Sequence, residues 1–538
     1  MKNVLLAIVK TLYESHPKTQ DELLHLKKDI AGTYKISPPS SATLLKAYQK
    51  LVQLGELQND DFFMSLLRRK SVRSNSGIAP ITVLTKPYPC PGKCTYCPTE
   101  VTMPKSYLSN EPAAQRALMN RFDPYKQMVE RIKALSSIGH DAHKIELIVK
   151  GGTWSAYPAS YQRWFIKRCF DGANHASGAR KRSSTLLEAQ NTNENADHRI
   201  IGITLETRPD FIKPKEVARL RSLGCTRVEI GLQHTSNIVL AKVKRGHTAE
   251  DCMQALALLR DAGFKTDLHM MPQLPGSDAK QDVAAIAELF ENPSYRPDMI
   301  KIYPCVVTPN SELYEDWKNG KFVTYSEPEL FEALLAMKQL IPRYCRISRL
   351  VRDIPKSSIL AGNNSTNMRD ILQREMKKRG TKCACLRCRE ISHQKEFASQ
   401  APVFFDDKYE ASNGIEHFLS METEGREAVF AFCRLRLGRR PQAVGRSKTT
   451  ELEKLIPEIR GAAFIRELHT YGVQLGLGER DAGASQHKGL GKKLMEKSEE
   501  IARTAGYKKL AVISGIGVRA YYRKLGYRRV GSYMVKYL

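Results

Sequence analysis

The sequence predicts a parallel α/β barrel, incomplete around its circumference, followed by an α+β domain and preceded by a short helical segment. Three observations carry this prediction. Six β-rich runs alternate with helical segments between Ile78 and Val307, and the pattern turns antiparallel in flavour from about residue 401. The chain's 538 residues also exceed one ordinary domain of about 100–200 residues.

Taken in order, residues 1–70 read as helices. The runs LLAIVKTLY, DELLHLKKDI and SATLLKAYQKLVQLGEL show helical apolar spacing, with Ser41 as the N-cap of the third. A basic run closes this segment, Arg68, Arg69 and Lys70 with Arg73, and is the candidate contact for a polyanion. The barrel is expected over 71–345, from the strands IAPITVLTKP, KIELIVKGG, RIIGITLETRP, RVEIGLQH, KTDLHMMPQLP and MIKIYPCVV. Cysteines follow the first strand, Gly151 and Gly152 the second, Glu206 to Pro209 the third, Gln233 and His234 the fourth. In such barrels the loops after the strands form the active face, so these residues belong to one mouth. The polar stretch Asn174–His198 reads as a surface insertion. Residues 346–400 read as a linker carrying a second cysteine cluster. Residues 401–538 read as the α+β domain, with AVFAFCRLRL, AAFIRELHTYGV, a helix from Leu490 to Ala505, LAVISG, a short helix near Ala520–Lys524 and GYRRVGSYMVKYL.

Charge bounds the partners. Lys and Arg number 85 against 57 Asp and Glu, a formal net charge of +28, which suits RNA or DNA. No run approaches the ~18–20 apolar residues that span a bilayer, and the opening MKNVLLAIVKTLYESHP, interrupted by Lys10, reads as an amphipathic helix. No membrane role is expected. Twelve cysteines in a long chain of this kind point to a reducing compartment, the cytoplasm, where clustered thiols serve metals.

Two cysteine clusters stand out. Cys90, Cys94 and Cys97 form C-x3-C-x2-C with Tyr96 before the last cysteine. Three thiolates hold three irons of a four-iron cluster and leave the fourth open to an exogenous ligand. A structural zinc knuckle is the competing reading, and the strand before and five strand–helix units after the motif argue against it. Cys383, Cys385 and Cys388 form C-x-C-x2-C without strands around them, and the favoured reading is a structural zinc with His393 as the nearest candidate fourth ligand. In the last domain, Gln486, Lys488, Gly489, Leu490, Gly491 and Lys492 open a helix whose main-chain amides suit a pyrophosphate.

The first motif resembles the radical S-adenosylmethionine (SAM) superfamily, which implies a 4Fe–4S cluster on Cys90, Cys94 and Cys97 and a partial TIM-like barrel. It further implies that Tyr96 flanks the adenine of SAM, that Gly151 and Gly152 admit its amino group, and that Glu229 and Gln233 offer hydrogen bonds. The last domain is similar to the GCN5-related N-acetyltransferase (GNAT) fold. There the strand carrying Glu467, Leu468, His469 and Thr470 splays from its neighbour to hold acetyl-CoA, and Tyr521 and Tyr522 match the position near the CoA sulfur.

The combination resembles the catalytic subunit of Elongator in its stand-alone archaeal or bacterial form, over about residue 70 to the C-terminus. The matching stretches include NEPAAQRALMNRFDPYKQ, IGITLETRPD, GCTRVEIGLQ, KRGHT, HMMPQLPG, ENPSYRPDMIKIYP, RISRLVRDIP and AVISGIGVRAYYRKLGYR. Lys150 departs from the family in standing where an apolar residue is usual. The resemblance implies a tRNA carboxymethyluridine synthase: a SAM-derived radical takes hydrogen from the acetyl-CoA methyl group, and the carbon radical adds to carbon 5 of the wobble uridine. Hydrolysis of the thioester then leaves 5-carboxymethyluridine. It implies Lys144 as an acetyl-CoA and catalytic residue beside Tyr521, Tyr522 and His469, with Glu467 and His487 as further positions for acid–base work. It also implies a tRNA anticodon stem-loop and an electron donor as partners, and leaves room for a homodimer. Two other readings remain open at this point, a protein lysine acetyltransferase with a structural iron–sulfur cluster and a non-enzymatic basic RNA-binding scaffold.

Overall fold

The computed structural model describes residues 2–67, 77–138, 140–179, 181–438, 449–471 and 489–538. Arg68, Arg69, Lys70, Arg73, Gln486, His487 and Lys488 lie outside the described residues. Four helices, Lys2–Glu14, Gln20–Thr33, Ser41–Gln53 and Asp61–Leu67, pack around their own core of residues such as Ile8, Leu12, Leu44, Tyr48 and Leu51. Ser40, one residue before the expected Ser41, caps the third by accepting the Thr43 amide at 3.1 Å.

Seven strands then form one parallel sheet in sequence order: β1 (Ala79–Leu84), β2 (Lys144–Lys150), β3 (Arg199–Thr207), β4 (Arg227–Gln233), β5 (Lys265–Met270), β6 (Met299–Ile302) and β7 (Arg346–Leu350). The ladder ends at β1 and β7, so the barrel is open on one side. Helices cover the outside, which is why a strand such as RVEIGLQ is buried nearly along its length. β7 corrects the expected boundary at 345. RISRL reads as basic linker because Arg346, Ser348 and Arg349 turn inward to a polar lumen, while Ile347 is fully buried.

The second sheet has the order β13-β14-β12-β11-β10-β9-β8, from β8 (Val403–Ala411), β9 (Gly414–Glu422), β10 (Val429–Leu437), β11 (Ala463–Thr470), β12 (Lys509–Val512), β13 (Arg528–Val530) and β14 (Tyr533–Tyr537). One hydrophobic core runs through both sheets. At the seam Arg466 grips Asp298 with two hydrogen bonds, one of 2.7 Å, and both side chains are fully buried. Burial alone would raise the Asp298 pKa, yet Arg466 and Arg434 hold it well below the usual range. Removing one member of such a pair strands a buried charge, at a cost of about 3–5 kcal/mol, so the two domains are docked firmly.

The stretch Asn174–His198 is more than a surface insertion: it exposes many of its residues but anchors itself through buried polar ones such as Asn174, Gln190 and Asn193. The helix Ala159–Ala176 runs into it, the helix Leu186–Asn193 follows, and their polar residues satisfy one another in the interior. Asn193 donates to Asn174 Oδ1 at 2.8 Å, and Asn174 donates to the Ala189 carbonyl at 2.9 Å. Buried amides paired in this way look like a loop in composition and behave as core. No helix among the described residues is long and apolar enough to cross a membrane.

Candidate active site

A cavity of about 790 Å³ runs through the barrel, lined by all three N-terminal cysteines at one end and by Glu467, His469 and Tyr471 of the C-terminal domain at the other. The mouth is built on the loops after the strands, as expected. Cys94 is buried, and Cys90 and Cys97 are half-buried. The backbone between them must pass close: a Cβ on Gly92 would lie 3.6 Å from both Cys90 Sγ and Cys94 Sγ and 2.8 Å from Arg208 Nη1. Arg245 approaches Cys94 Sγ at 3.4 Å while also donating to the Gly231 carbonyl. Tyr96 is buried, and burial holds its hydroxyl well above the usual pKa, so it stays protonated.

The glycine pair divides its work. Gly151 has φ +131°, and a Cβ there would strike Thr85 Oγ1 at 1.9 Å, so it is glycine for packing against the end of β1. Gly152, with φ +79°, lines the cavity. Gln233 also lines it, at φ +81°, where the β4–β5 ladder breaks after Ile230. That sparsely populated conformation for a non-glycine residue turns the chain at the end of the strand.

The middle of the lumen is a layer of ions that sequence reading did not single out as a site. Glu229 Oε2 accepts from Lys150, from Lys301 and from His269 Nε2, the last at 3.0 Å, and Lys150 also donates to Glu206 at 2.7 Å. Glu229, expected to face SAM, is thus the counter-ion of two lysines. Burial opposes its ionisation, but Lys150 and Lys301 hold its pKa well below the usual range. Burial pushes the Lys301 ammonium down to about 8, with Glu229 opposing. Glu206, Glu229 and His269 are close enough to hold a metal ion, and the two lysine ammoniums supply the positive charge there instead. The signal lay in polar residues at alternate positions of otherwise apolar strands: Glu229 in RVEIGLQ, Asp267 and His269 in KTDLHM, Lys301 in MIKI.

The floor belongs to β11. Its side chains alternate: Glu467 and His469 enter the barrel cavity, while Leu468 and Thr470 face the opposite side, near Gly491. Glu467 bonds to Lys265 at 3.1 Å and Arg434 at 3.0 Å, which outweigh burial and hold its carboxyl at about 2. His469 Nε2 is buried without a partner among the described residues, and burial lowers its pKa to about 4.

The expected splay is present. β11 pairs with β12 only from Ala463 to Ile465, so among the described residues no strand pairs with its later main chain on that edge. The helix Leu490–Thr504 starts there from Gly489 at φ +71°. A Cβ on Gly491 would lie 3.0 Å from the Tyr521 hydroxyl, 3.6 Å from Thr470 Cγ2 and 3.9 Å from Leu468 Cδ2, so these groups converge on the helix start. Tyr521 is 40% exposed on this cleft, whereas Tyr522 is buried edge-on between Tyr521 and Tyr527 and belongs to the core. Lys492 points to solvent and pairs with Glu496 at 3.7 Å. Lys144 starts β2, at the far end of the strand from Lys150; it is outside the cavity lining, and burial lowers its pKa.

Away from the barrel lumen, the Sγ atoms of Cys383, Cys385 and Cys388 lie within 4.8 Å of one another. His393 does not join them; its Nε2 faces Glu390 at 3.6 Å, and the polar neighbours of Cys388 are Gln373 at 3.4 Å and Lys338 at 4.0 Å.

A parallel half-barrel with a cysteine mouth, docked on a sheet with a splayed strand, defines a radical SAM enzyme fused to an acetyltransferase-type domain. Comparison with known families agrees: the Radical SAM superfamily matches residues 88–289, the Radical SAM C-terminal domain 297–378 and the Acetyltransferase (GNAT) family 386–527. The chain is 43% identical to the tRNA uridine(34) acetyltransferase of Methanocaldococcus jannaschii over 91% of its own length and 90% of that protein. It is 35% identical to human Elongator complex protein 3 over 99% of its length and 96% of that protein. The structure of archaeal Methanocaldococcus infernus Elp3 with an N-terminal deletion superposes with a TM-score of 0.72 at 39% identity, covering 86% of this chain and 100% of that one. The chain belongs to the Elongator protein 3 family, and it is a transferase.

Proposed function

We propose that the chain forms 5-carboxymethyluridine at the wobble position of tRNA, with acetyl-CoA as the source of the added group. The observation that carries this reading is the cavity that runs from the cysteine mouth to the barrel-facing side of β11, the strand whose opposite side forms the cleft at Gly491, because a protein acetyltransferase with a structural cluster needs no lumen reaching that strand.

The residues fit a 4Fe–4S cluster at the mouth. Three soft thiols face one cavity, Gly92 leaves the space between two of them clear, and Arg245 supplies positive charge beside Cys94. A cluster held by Cys90, Cys94 and Cys97 would supply, together with SAM, the one-electron chemistry that generates a 5′-deoxyadenosyl radical. Gly152 and Gln233 line the SAM side, with Tyr96 as its apolar wall. Glu229, Lys150 and Lys301 make a fixed charged layer that orients polar groups of a base extruded into the lumen. Leu468, Thr470, Gly491 and Tyr521 hold acetyl-CoA in the cleft, and His469, neutral at physiological pH, is available to accept a proton at Nε2. Cys383, Cys385 and Cys388 hold a structural zinc. The net charge of +28 suits the tRNA partner, the basic run after residue 67 is part of that contact, and the setting is the cytoplasm.

The test is an anaerobic reaction of iron-reconstituted protein with SAM, a one-electron reductant, acetyl-CoA and tRNA, with nucleosides and 5′-deoxyadenosine read by mass spectrometry. Carboxymethyluridine that needs every component is the expected result. Deoxyadenosine with unmodified tRNA would overturn the substrate assignment, and acetylated lysine with neither product would restore the acetyltransferase reading.

A further inference from the structure

The helix Arg519–Lys524, which carries Tyr521, has six residues. That is well below the roughly 12–15 at which an isolated helix becomes even marginally stable, so its orientation depends on what it is docked against. Tyr521 is 40% exposed and does little to anchor itself.

Two contacts from the barrel set the helix in place. The turn just before it passes against β3 with no room to spare: a Cβ on Gly515 would fall 1.8 Å from the Ile201 carbonyl oxygen, and one on Gly517 would fall 2.5 Å from Arg199 Cβ. The second contact is Glu194, just after the helix Leu186–Asn193, in the stretch that composition marks as an insertion. Its side chain is 7% exposed, and each oxygen serves one arginine: Oε1 accepts from Arg519 Nη1 at 2.7 Å and Oε2 from Arg523 Nη2 at 2.6 Å. Arg529 stands 3.7 Å from Oε1. Arg519 and Arg523 are one turn apart and bracket Tyr521 and Tyr522, so a single carboxylate fixes both ends of the segment bearing the cleft tyrosine. Burial disfavours the Glu194 charge, but Arg519 and Arg523 hold its pKa below the usual range, and the fork stays ionised.

We propose that Glu194 of the barrel is a positioning residue for Tyr521, clamping Arg519 and Arg523 so that the tyrosine hydroxyl faces the acetyl-CoA cleft at Gly491. The proposal rests on the acetyl-CoA reading above. Its effect is confined to that cleft. Glu194 precedes the start of β3 at Arg199, whereas the cysteines sit where the chain leaves the ends of the strands, so the SAM side is out of its reach. The acetyl-CoA cleft is therefore completed by the other domain, and an isolated C-terminal domain would hold its tyrosine loosely.

The experiment measures acetyl-CoA affinity of the full chain by calorimetry, thermal melting, and SAM cleavage by the reconstituted enzyme. Glu194→Gln keeps the shape and removes the charge; we expect acetyl-CoA to bind about tenfold more weakly while SAM cleavage stays within about twofold of the parent. In a Tyr521→Ala background the same substitution should add almost nothing, because a residue acting through Tyr521 is non-additive with it. Unchanged affinity in Glu194→Gln overturns the proposal, and so does an equal loss with and without Tyr521, which would mark a general structural role. Should Glu194→Gln not fold, Arg523→Gln, at a side chain 45% exposed, tests the same clamp. A smaller loss that again vanishes with Tyr521→Ala supports the clamp, and no loss overturns it. Failure of the parent protein to bind acetyl-CoA would overturn the acetyl-CoA reading itself, and the clamp with it.

Discussion

The two cysteine triads have nearly the same spacing in sequence and opposite designs in space. Cys383, Cys385 and Cys388 bring their sulfurs within 4.8 Å of one another in a compact knot, close to the separation that a single tetrahedral ion with ~2.3 Å sulfur bonds requires. Cys90, Cys94 and Cys97 do not converge in that way; they stand around the mouth of a cavity, with Gly92 and Arg245 beside them. One arrangement suits an ion that ties the chain together. The other suits a larger cluster with a face turned to a substrate. Spacing alone does not separate the two cases; the surroundings do.

The largest test of this contrast is a pair of serine substitutions. Cys94→Ser is expected to abolish iron loading, SAM cleavage and tRNA modification while zinc content and acetyl-CoA binding persist. Cys385→Ser should do the reverse, releasing zinc and lowering the melting temperature by on the order of 5 °C or more while iron still loads. Elemental analysis with melting curves decides it, and iron retained in Cys94→Ser would break the comparison.

A smaller effect is expected from Gly92→Ala. The added methyl would sit 3.6 Å from the Cys90 and Cys94 sulfurs and 2.8 Å from Arg208, so either the guanidinium or the loop must shift. Iron occupancy should fall severalfold with little change in melting, and full occupancy would show that the mouth has more room than the geometry gives it.

The smallest effect is on pH. His247, buried in the loop that carries Arg245, is pushed to about 3 by burial and then by Arg245 and Arg208. Its pKa is depressed on folding, so between about 6.5 and 3 the unfolded chain binds a proton that the folded one refuses. Stability is full above pH about 6.5 and falls progressively as the pH drops toward 3. Replacing His247 by Gln should flatten that part of the curve, and an unaltered slope in denaturant titrations would show that other groups dominate it.

Much of the site was legible because its chemistry demands particular residue types. Thiols in C-x3-C-x2-C, glycines after a strand and tyrosines before K-L-G-Y stand out from the chain, and the mouth and cleft formed where those residues pointed. The ionic layer was harder to see, since Glu229, His269 and Lys301 each look like a lone polar residue until three adjacent strands bring them to one level. The seam was harder still. Asn174, Asn193 and Glu194 are polar because each answers a buried partner, and composition alone reads such residues as solvent-facing.

The sequence by itself determined the classes of element, their order and the placing of the two cysteine triads, because apolar period and cysteine spacing are local properties. Only the tertiary structure decided that β7 forms one edge of the barrel, that Glu229 answers two lysines, that Tyr521 rather than Tyr522 faces the cleft, and that Glu194 reaches across to Arg519 and Arg523. Those outcomes depend on which charges and surfaces meet across long separations in the chain, and such meetings are set by packing once the elements are in place.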